Sequence, residues 1–257
     1  MLSSALQIAA PVHHDRLTVN LARTEEEIRE AQRLRYKVFA EEMGARLPKN
    51  AEGLDRDIFD PYCDHLLVRD SASGEVVGTY RLLTARQARK IGSFYSAQEF
   101  DLTRLGHLFD NVVEIGRSCV HPDFRSGGVI ALLWSGLARY ASENKAEYLM
   151  GCASIGMADG GHLAASLYRK LEAKNLSPVE WRVFPRNPLP LEALNNTLDA
   201  PVPPLIKGYL RAGAYVCGEP SWDPDFNTAD LLILQPMKNV NSRYARHFMG
   251  GSKSSAS

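Results

Sequence analysis

Apolar positions along the chain follow two periods, and the changes between them mark out the elements. Residues 17–22 alternate apolar and polar and predict a first strand. Thr24, with Glu27 three residues on, has the pattern of a capping box, so a helix is expected to run from there to about residue 41. Ile28, Ala31, Leu34 and Val38 lie along one side of it, and Arg35 sits beside that stripe. Residues 42–61 have no period and carry Glu52, Asp55, Asp57 and Asp60. The simplest reading is a solvated acidic loop, although a loop of this length is uncommon unless it is functional. Strands over 64–69 and 76–84 flank a turn at 71–74, which predicts an antiparallel hairpin with Arg81 in its second strand. A short segment over 84–91 with Arg86, Arg89 and Lys90 follows, then a short strand and a helix near 102–108. Residues 112–120 read as a buried strand and 130–140 as a helix. Further strands are expected at 148–153, 181–184 and 228–234, and helices at 162–174 and 205–211. Eight of the 14 prolines fall within 185–227, so long coil is expected there. Residues 1–16 read as a flexible arm and 239–257 as a flexible tail. Between them, 17–238 read as a single α/β domain around a mixed, mostly antiparallel sheet flanked by helices.

Composition removes several classes of function. The 257 residues carry 30 Lys plus Arg against 30 Asp plus Glu, so no general affinity for nucleic acid is implied. Cys63, Cys119, Cys152 and Cys217 form no CxxC pair, which argues against zinc and redox motifs. Reduced thiols in a cytosolic protein are expected. The seven histidines include no HExxH, and no catalytic metal is expected. No apolar run approaches ~18 residues, so no transmembrane helix is expected, and the N-terminus lacks the basic start of a signal peptide.

The most informative stretch is 112–140, VVEIGRSCVHPDFRSGGVIALLWSGLARY. A strand passes through His121-Pro122-Asp123 and Arg125-Ser126-Gly127-Gly128 into a helix. The first turn of a helix has unpaired N–H groups and a partial positive charge, so this is an anion site or an ordinary glycine turn. It is neither a nucleotide P-loop nor a GxGxxG fingerprint. Val120-His-Pro-Asp-Phe-Arg125-x-x-Gly128 resembles the acyl-donor loop of the GNAT acyltransferase superfamily. The resemblance implies that Arg125, Gly127 and Gly128 hold the phosphate of a pantetheine-bearing donor. Ile130 stands where that superfamily has Gly or Ala, which leaves less room for a pyrophosphate and suits a donor with one phosphate, such as acyl carrier protein.

Residues 33–125 also resemble the acyl-homoserine-lactone synthases, a GNAT-like family. The matches are Leu34-Arg-Tyr-Lys-Val-Phe39 with the following Glu-Met-Gly44, the spacing of Asp55, Asp57 and Asp60, Gly78-Thr-Tyr-Arg81, and Glu114-Ile-Gly-Arg117. Ser118-Cys119 departs from that family, and the Arg125 loop and longer C-terminal part are additions. With these, the chain looks most like the ornithine–acyl-carrier-protein N-acyltransferases, including Asp60-Pro-Tyr-Cys-Asp-His65. That resemblance implies a GNAT-like domain that moves a 3-hydroxyacyl chain from acyl carrier protein to the α-amine of L-ornithine. This is the first step of ornithine lipid synthesis in bacteria. The alternative is a lactone synthase, or an N-acyltransferase for another amino acid. No cofactor is expected beyond the carrier's phosphopantetheine thioester. The implied location is the cytoplasm, with peripheral contact at the inner membrane, where the basic tail is one candidate.

The chemistry needs a carboxylate that takes a proton from the attacking amine. Glu114, beside the donor loop, is the first choice, with Arg117 completing the catalytic pair. Asp55, Asp57 and Asp60 are rivals for the base, or could hold the side-chain ammonium. Arg81 or Arg117 offers a fork for the amino acid's carboxylate. Arg35 is assigned either to substrate or to ordering the acidic loop, and Phe39 to substrate. Because Glu114 and Arg117 are an odd number of residues apart, strict pleating puts them on opposite faces. Both can reach one cleft only if the strand bulges, and Gly116 is where that bulge is expected.

Overall fold

The computed structural model describes residues 16–48 and 51–240. The elements in order are β1 (Leu17–Leu21), α1 (Glu25–Tyr36), β2 (Asp64–Asp70), β3 (Val76–Thr84), α2 (Ala85–Ile91), β4 (Phe100–Asp101), β5 (Val112–Val120), α3 (Gly128–Glu143), β6 (Tyr148–Gly156), α4 (His162–Asn175), β7 (Phe184–Pro185), α5 (Pro204–Arg211), β8 (Tyr215–Val216), β9 (Ser221–Asp223) and β10 (Thr228–Pro236). Thr24 and Glu27 form the expected capping box. The helix then widens into a π-helical turn over Lys37–Glu42, which buries Val38 and Phe39. Such turns often mark functional sites.

The main sheet has the order β1-β2-β3-β5-β6-β10-β8, with β9 also paired to β10. Every pairing in it is antiparallel except β5 with β6. The strand expected over 181–184 is not one. Val179–Trp181 is a 3-10 turn, and only Phe184–Pro185 pairs, with β4. The Val183 N–H is instead taken by the Cys217 carbonyl, and Pro185 has no N–H to extend a ladder. The expected arm and tail lie outside the described residues except at Arg16, Asn239 and Val240. Among the described residues, no helix is long and apolar enough to cross a membrane.

Both sheet faces are covered. On one, Leu133, Leu137, Leu167 and Ile206 from the helices pack over Leu66, Tyr80, Leu82 and Ile115. On the other, Ala31 and Leu34 of α1 and Val38 of the π-helical turn pack with Leu67 and Val76, while Phe59, Phe94 and Phe100 cover Leu83 and Met150. With both faces covered, β3 is buried at every residue but its last, and the charge of Arg81 within it stands out.

Two glycines permit close approaches that shape the site. A Cβ at Gly78 would lie 2.3 Å from the Val129 side chain, so this glycine lets α3 settle onto β3. A Cβ at Gly151 would lie 2.1 Å from the Ile115 carbonyl oxygen. That contact falls where β5 and β6 stop pairing.

Candidate active site

The parallel pairing of β5 and β6 covers only Val112–Glu114 and Tyr148–Met150, although both strands continue. Beyond that point they separate, and a cavity of about 330 Å³ opens between them. Its walls are Ile115 to Val120 on one strand and Cys152 to Ser154 on the other, with Phe39, Phe59, Tyr80 and Leu205 closing it. A second cavity of about 380 Å³ adjoins it, with Asp57, Glu99 and Arg186 among the polar residues in its walls. Tyr95, Arg117, Asp223 and Phe226 belong to both.

The expected bulge is present, one residue later than Gly116. Thr79 pairs with Cys119 and Arg81 with Gly116, so Arg117 and Ser118 together stand opposite Tyr80. Arg117 has φ +49°, a left-handed conformation that costs a side-chain-bearing residue ~1–2 kcal/mol. Its surroundings hold it there. Its guanidinium lies 4.6 Å from the Phe226 ring centre and 5.0 Å from that of Tyr95, and it donates to the Tyr95 hydroxyl at 3.1 Å. The bulge turns Arg117 into the same cavity as Glu114.

Glu114 is 4% exposed. Its Oε2 accepts the Tyr95 N–H at 2.7 Å and its Oε1 the Ser96 N–H at 2.8 Å. Burial raises this carboxyl above its ordinary value, and the donors of Ser96 and Tyr95 pull it part of the way back. It therefore holds the 95–96 turn as well as facing the cavity.

The acidic loop is mostly not a solvated one. Arg35, fully buried, donates to Asp55 Oδ2 and Asp60 Oδ1, each at 2.8 Å, and to the Asp55 carbonyl at 2.5 Å. Arg81 donates to Asp57 Oδ1 at 2.7 Å. Arg117 reaches Asp55 at 3.2 Å and Asp57 at 3.4 Å. The three cations and three anions balance. Burial alone would raise the Asp60 carboxyl, but the charges of Arg35 and Arg81 hold it below its ordinary value. Arg35 and Asp60 line neither cavity. They brace the loop, which is the second role the sequence leaves open for Arg35. Asp57, 24% exposed, is the member most open to a ligand. Phe39 lines the inner cavity and packs edge-on against Phe226 at 5.7 Å.

At the far end of β5, Arg125 lines the cavity and forms a two-pronged pair with Glu42 at 2.5 and 2.8 Å. Its Nε donates to the Val120 carbonyl at 3.1 Å. Gly127, at φ +103°, caps α3, and Gly128 begins it. The basic segment of α2 lies at the opposite end of the strand, since Thr84 pairs with Val113 whereas Gly78 pairs with Val120. Burial pushes the thiols of Cys63, Cys119 and Cys217 up to about 12 and that of Cys152 well above its usual value, so none is poised as a nucleophile. Glu99, Asp223 and Asp230 were not singled out from sequence. The available signal was an Asp inside the otherwise apolar run of β10.

A bulged, separating strand pair that ends in a glycine-capped helix defines a GNAT-fold acyltransferase. Residues 34–135 match the acetyltransferase (GNAT) domain family. Among solved structures, a CoA-dependent acyl-homoserine lactone synthase, MesI, superposes with a TM-score of 0.54 at 15% identity, covering 92% of this chain and 97% of that one. The AHL synthase LasI gives 0.53 at 14% identity, covering 94% and 98%. At these identities the likeness is one of fold. Curated relatives are nearer. The L-ornithine N(alpha)-acyltransferase of Agrobacterium fabrum is 40% identical over 91% of this chain and 85% of its own. That of Brucella abortus is 38% identical over 90% and 88%, and that of Rhodobacter capsulatus 39% over 93% and 96%. The chain belongs to the L-ornithine N(alpha)-acyltransferase family.

Proposed function

We propose that this protein transfers a 3-hydroxyacyl chain from acyl carrier protein to the α-amino group of L-ornithine, the first step of ornithine lipid synthesis. The observation that carries the reading is the continuity of the two cavities through Arg117. One runs from the donor loop at Arg125 along the open edge of β5, and the other is polar and sized for an amino acid. A pantetheine thioester threads from Arg125 between β5 and β6, and its acyl chain lies along the apolar lining. Because β6 pairs with β5 only as far as Glu114, the β5 edge beyond it has no strand partner from β6. Its N–H groups are placed to receive the thioester oxygen as it becomes negative.

The acceptor enters from the polar cavity with its carboxylate toward Arg117. The neutral α-amine attacks the thioester carbonyl, the C–N bond forms, the C–S bond breaks, and the pantetheine thiol leaves. Glu114 takes the amine proton directly or through water, with Asp57 as the rival base. No further cofactor enters this scheme. The lipid-like product suits an enzyme that works in the cytoplasm and touches the membrane peripherally.

The test is mass spectrometry of purified protein supplied with 3-hydroxyacyl carrier protein, a pool of amino acids and S-adenosylmethionine. A product with the mass of ornithine plus a 3-hydroxyacyl group, acylated at the α-nitrogen on fragmentation, is expected. An acyl-homoserine lactone, or turnover with acyl-CoA alone, would overturn the acceptor or the donor respectively.

A further inference from the structure

A group of acids remains where the two cavities meet. Glu99 lines the outer cavity, Asp230 the inner one and Asp223 both. The carboxylates of Glu99 and Asp230 and the Cys152 sulfur present ligand atoms within 4.8 Å of one another. Asp230 is 4% exposed, and its Oδ1 has no hydrogen-bond partner among the described residues. Neither carboxylate oxygen of Glu99 has one there either. Burying such groups costs free energy unless something compensates them. Neighbouring Arg117 directs its ion pairs to Asp55 and Asp57 instead. Burial first, and then the negative charge of Asp230, push the Glu99 carboxyl up to about 9. A metal ion there would have to displace the Cys152 thiol proton, which burial opposes, whereas an ammonium needs only the two carboxylates.

We propose that Glu99, Asp223 and Asp230 receive the side-chain ammonium of the acceptor and so select a diamino acid over its neutral analogue. The assignment rests on the acceptor reading given above and adds the residues that enforce it. Arg117 and Glu99 line the same cavity, so one amino acid can present its carboxylate to the first and its distal ammonium to the second. The α-amine is then left toward the separation of β5 and β6.

The experiment compares kcat/KM for L-ornithine and L-norvaline, which lacks the δ-amine, in the wild type, Asp230→Asn and Glu99→Gln. The wild type is expected to prefer ornithine on the order of 10²-fold, since an unpaired buried carboxylate is left with norvaline. Each variant should lose at least about tenfold of that preference, through a higher KM for ornithine and, because the unmatched carboxylate is gone, better use of norvaline. An unchanged preference overturns the assignment. So does an equal loss for both acceptors in a folded variant, which places the acids in a role common to both. Should Asp230→Asn not fold, Glu99→Gln, at a half-buried position outside the strands, carries the test. A wild type that acylates neither amino acid removes the acceptor reading instead. Calorimetry then decides the pocket: tighter binding of ornithine than norvaline, abolished in Glu99→Gln, supports it, and equal binding in the wild type overturns it.

Discussion

Glu114→Gln separates the bracing role that this carboxylate holds from the proton transfer proposed for it. Both Glu114 oxygens accept backbone N–H groups, at 2.7 Å from Tyr95 and 2.8 Å from Ser96. An amide keeps one acceptor and turns an NH₂ toward the other donor. One charge-assisted hydrogen bond is lost and one buried N–H is left unmatched, which together cost about 2–3 kcal/mol. The turn also sets the Tyr95 ring, which lies 5.3 Å from the Arg81 guanidinium and 5.0 Å from that of Arg117. Urea unfolding should therefore show a lower midpoint at an unchanged slope. Loss of the proton acceptor should lower kcat by ~10²–10⁴-fold in the same protein. A midpoint shift worth less than ~0.5 kcal/mol would refute the bonding described here. Activity within about threefold of wild type would remove Glu114 as the base and leave it only as a brace.

Three other perturbations test the surrounding structure. Arg35→Met leaves Asp55 and Asp60 buried without their main counter-ion and should destabilise the protein by about 3–5 kcal/mol in chemical denaturation. His65 is held neutral, its pKa lowered to about 4 by burial and by Arg35. A histidine that protonates more easily unfolded than folded favours folding above its ordinary pKa. That contribution should fade as pH falls from about 6.5 to 4, by ~3 kcal/mol in all, and His65→Gln should flatten the pH dependence of stability. Gly151→Ala drives a methyl group against the Ile115 carbonyl, and should cost ~1–3 kcal/mol of stability and lower kcat/KM by disturbing the floor of the cavity.

Much of this arrangement was legible from local patterns. Thr24 and Glu27 announce the start of α1, the 71–74 turn announces the hairpin, and Arg125 through Gly128 announce the entry to α3. The odd separation of Glu114 and Arg117 demands a bulge, and the structure supplies one at Arg117–Ser118. The choice of Arg117 as the left-handed residue was not legible, because Gly116 is the residue that favours such a backbone. The acidic loop was legible as a set of residues, but its burial depends on Arg35, Arg81 and Arg117 arriving from three separate elements. Glu99 and Asp230 escaped for the same reason, since they sit on separate elements, one just before β4 and the other on β10, that only tertiary packing brings together. The apparent strand over 181–184 failed because alternation says nothing about whether a partner edge is free.

The central claim is that the amide bond is made where the two cavities meet at Arg117. The most direct measurement is a crystal structure with the N-acylated ornithine product bound. The acyl chain should lie between β5 and β6, with the amide beside Gly116 to Ser118 and the carboxylate against Arg117. A product whose chain lies outside that cavity, or whose head group does not reach Arg117, would contradict the account.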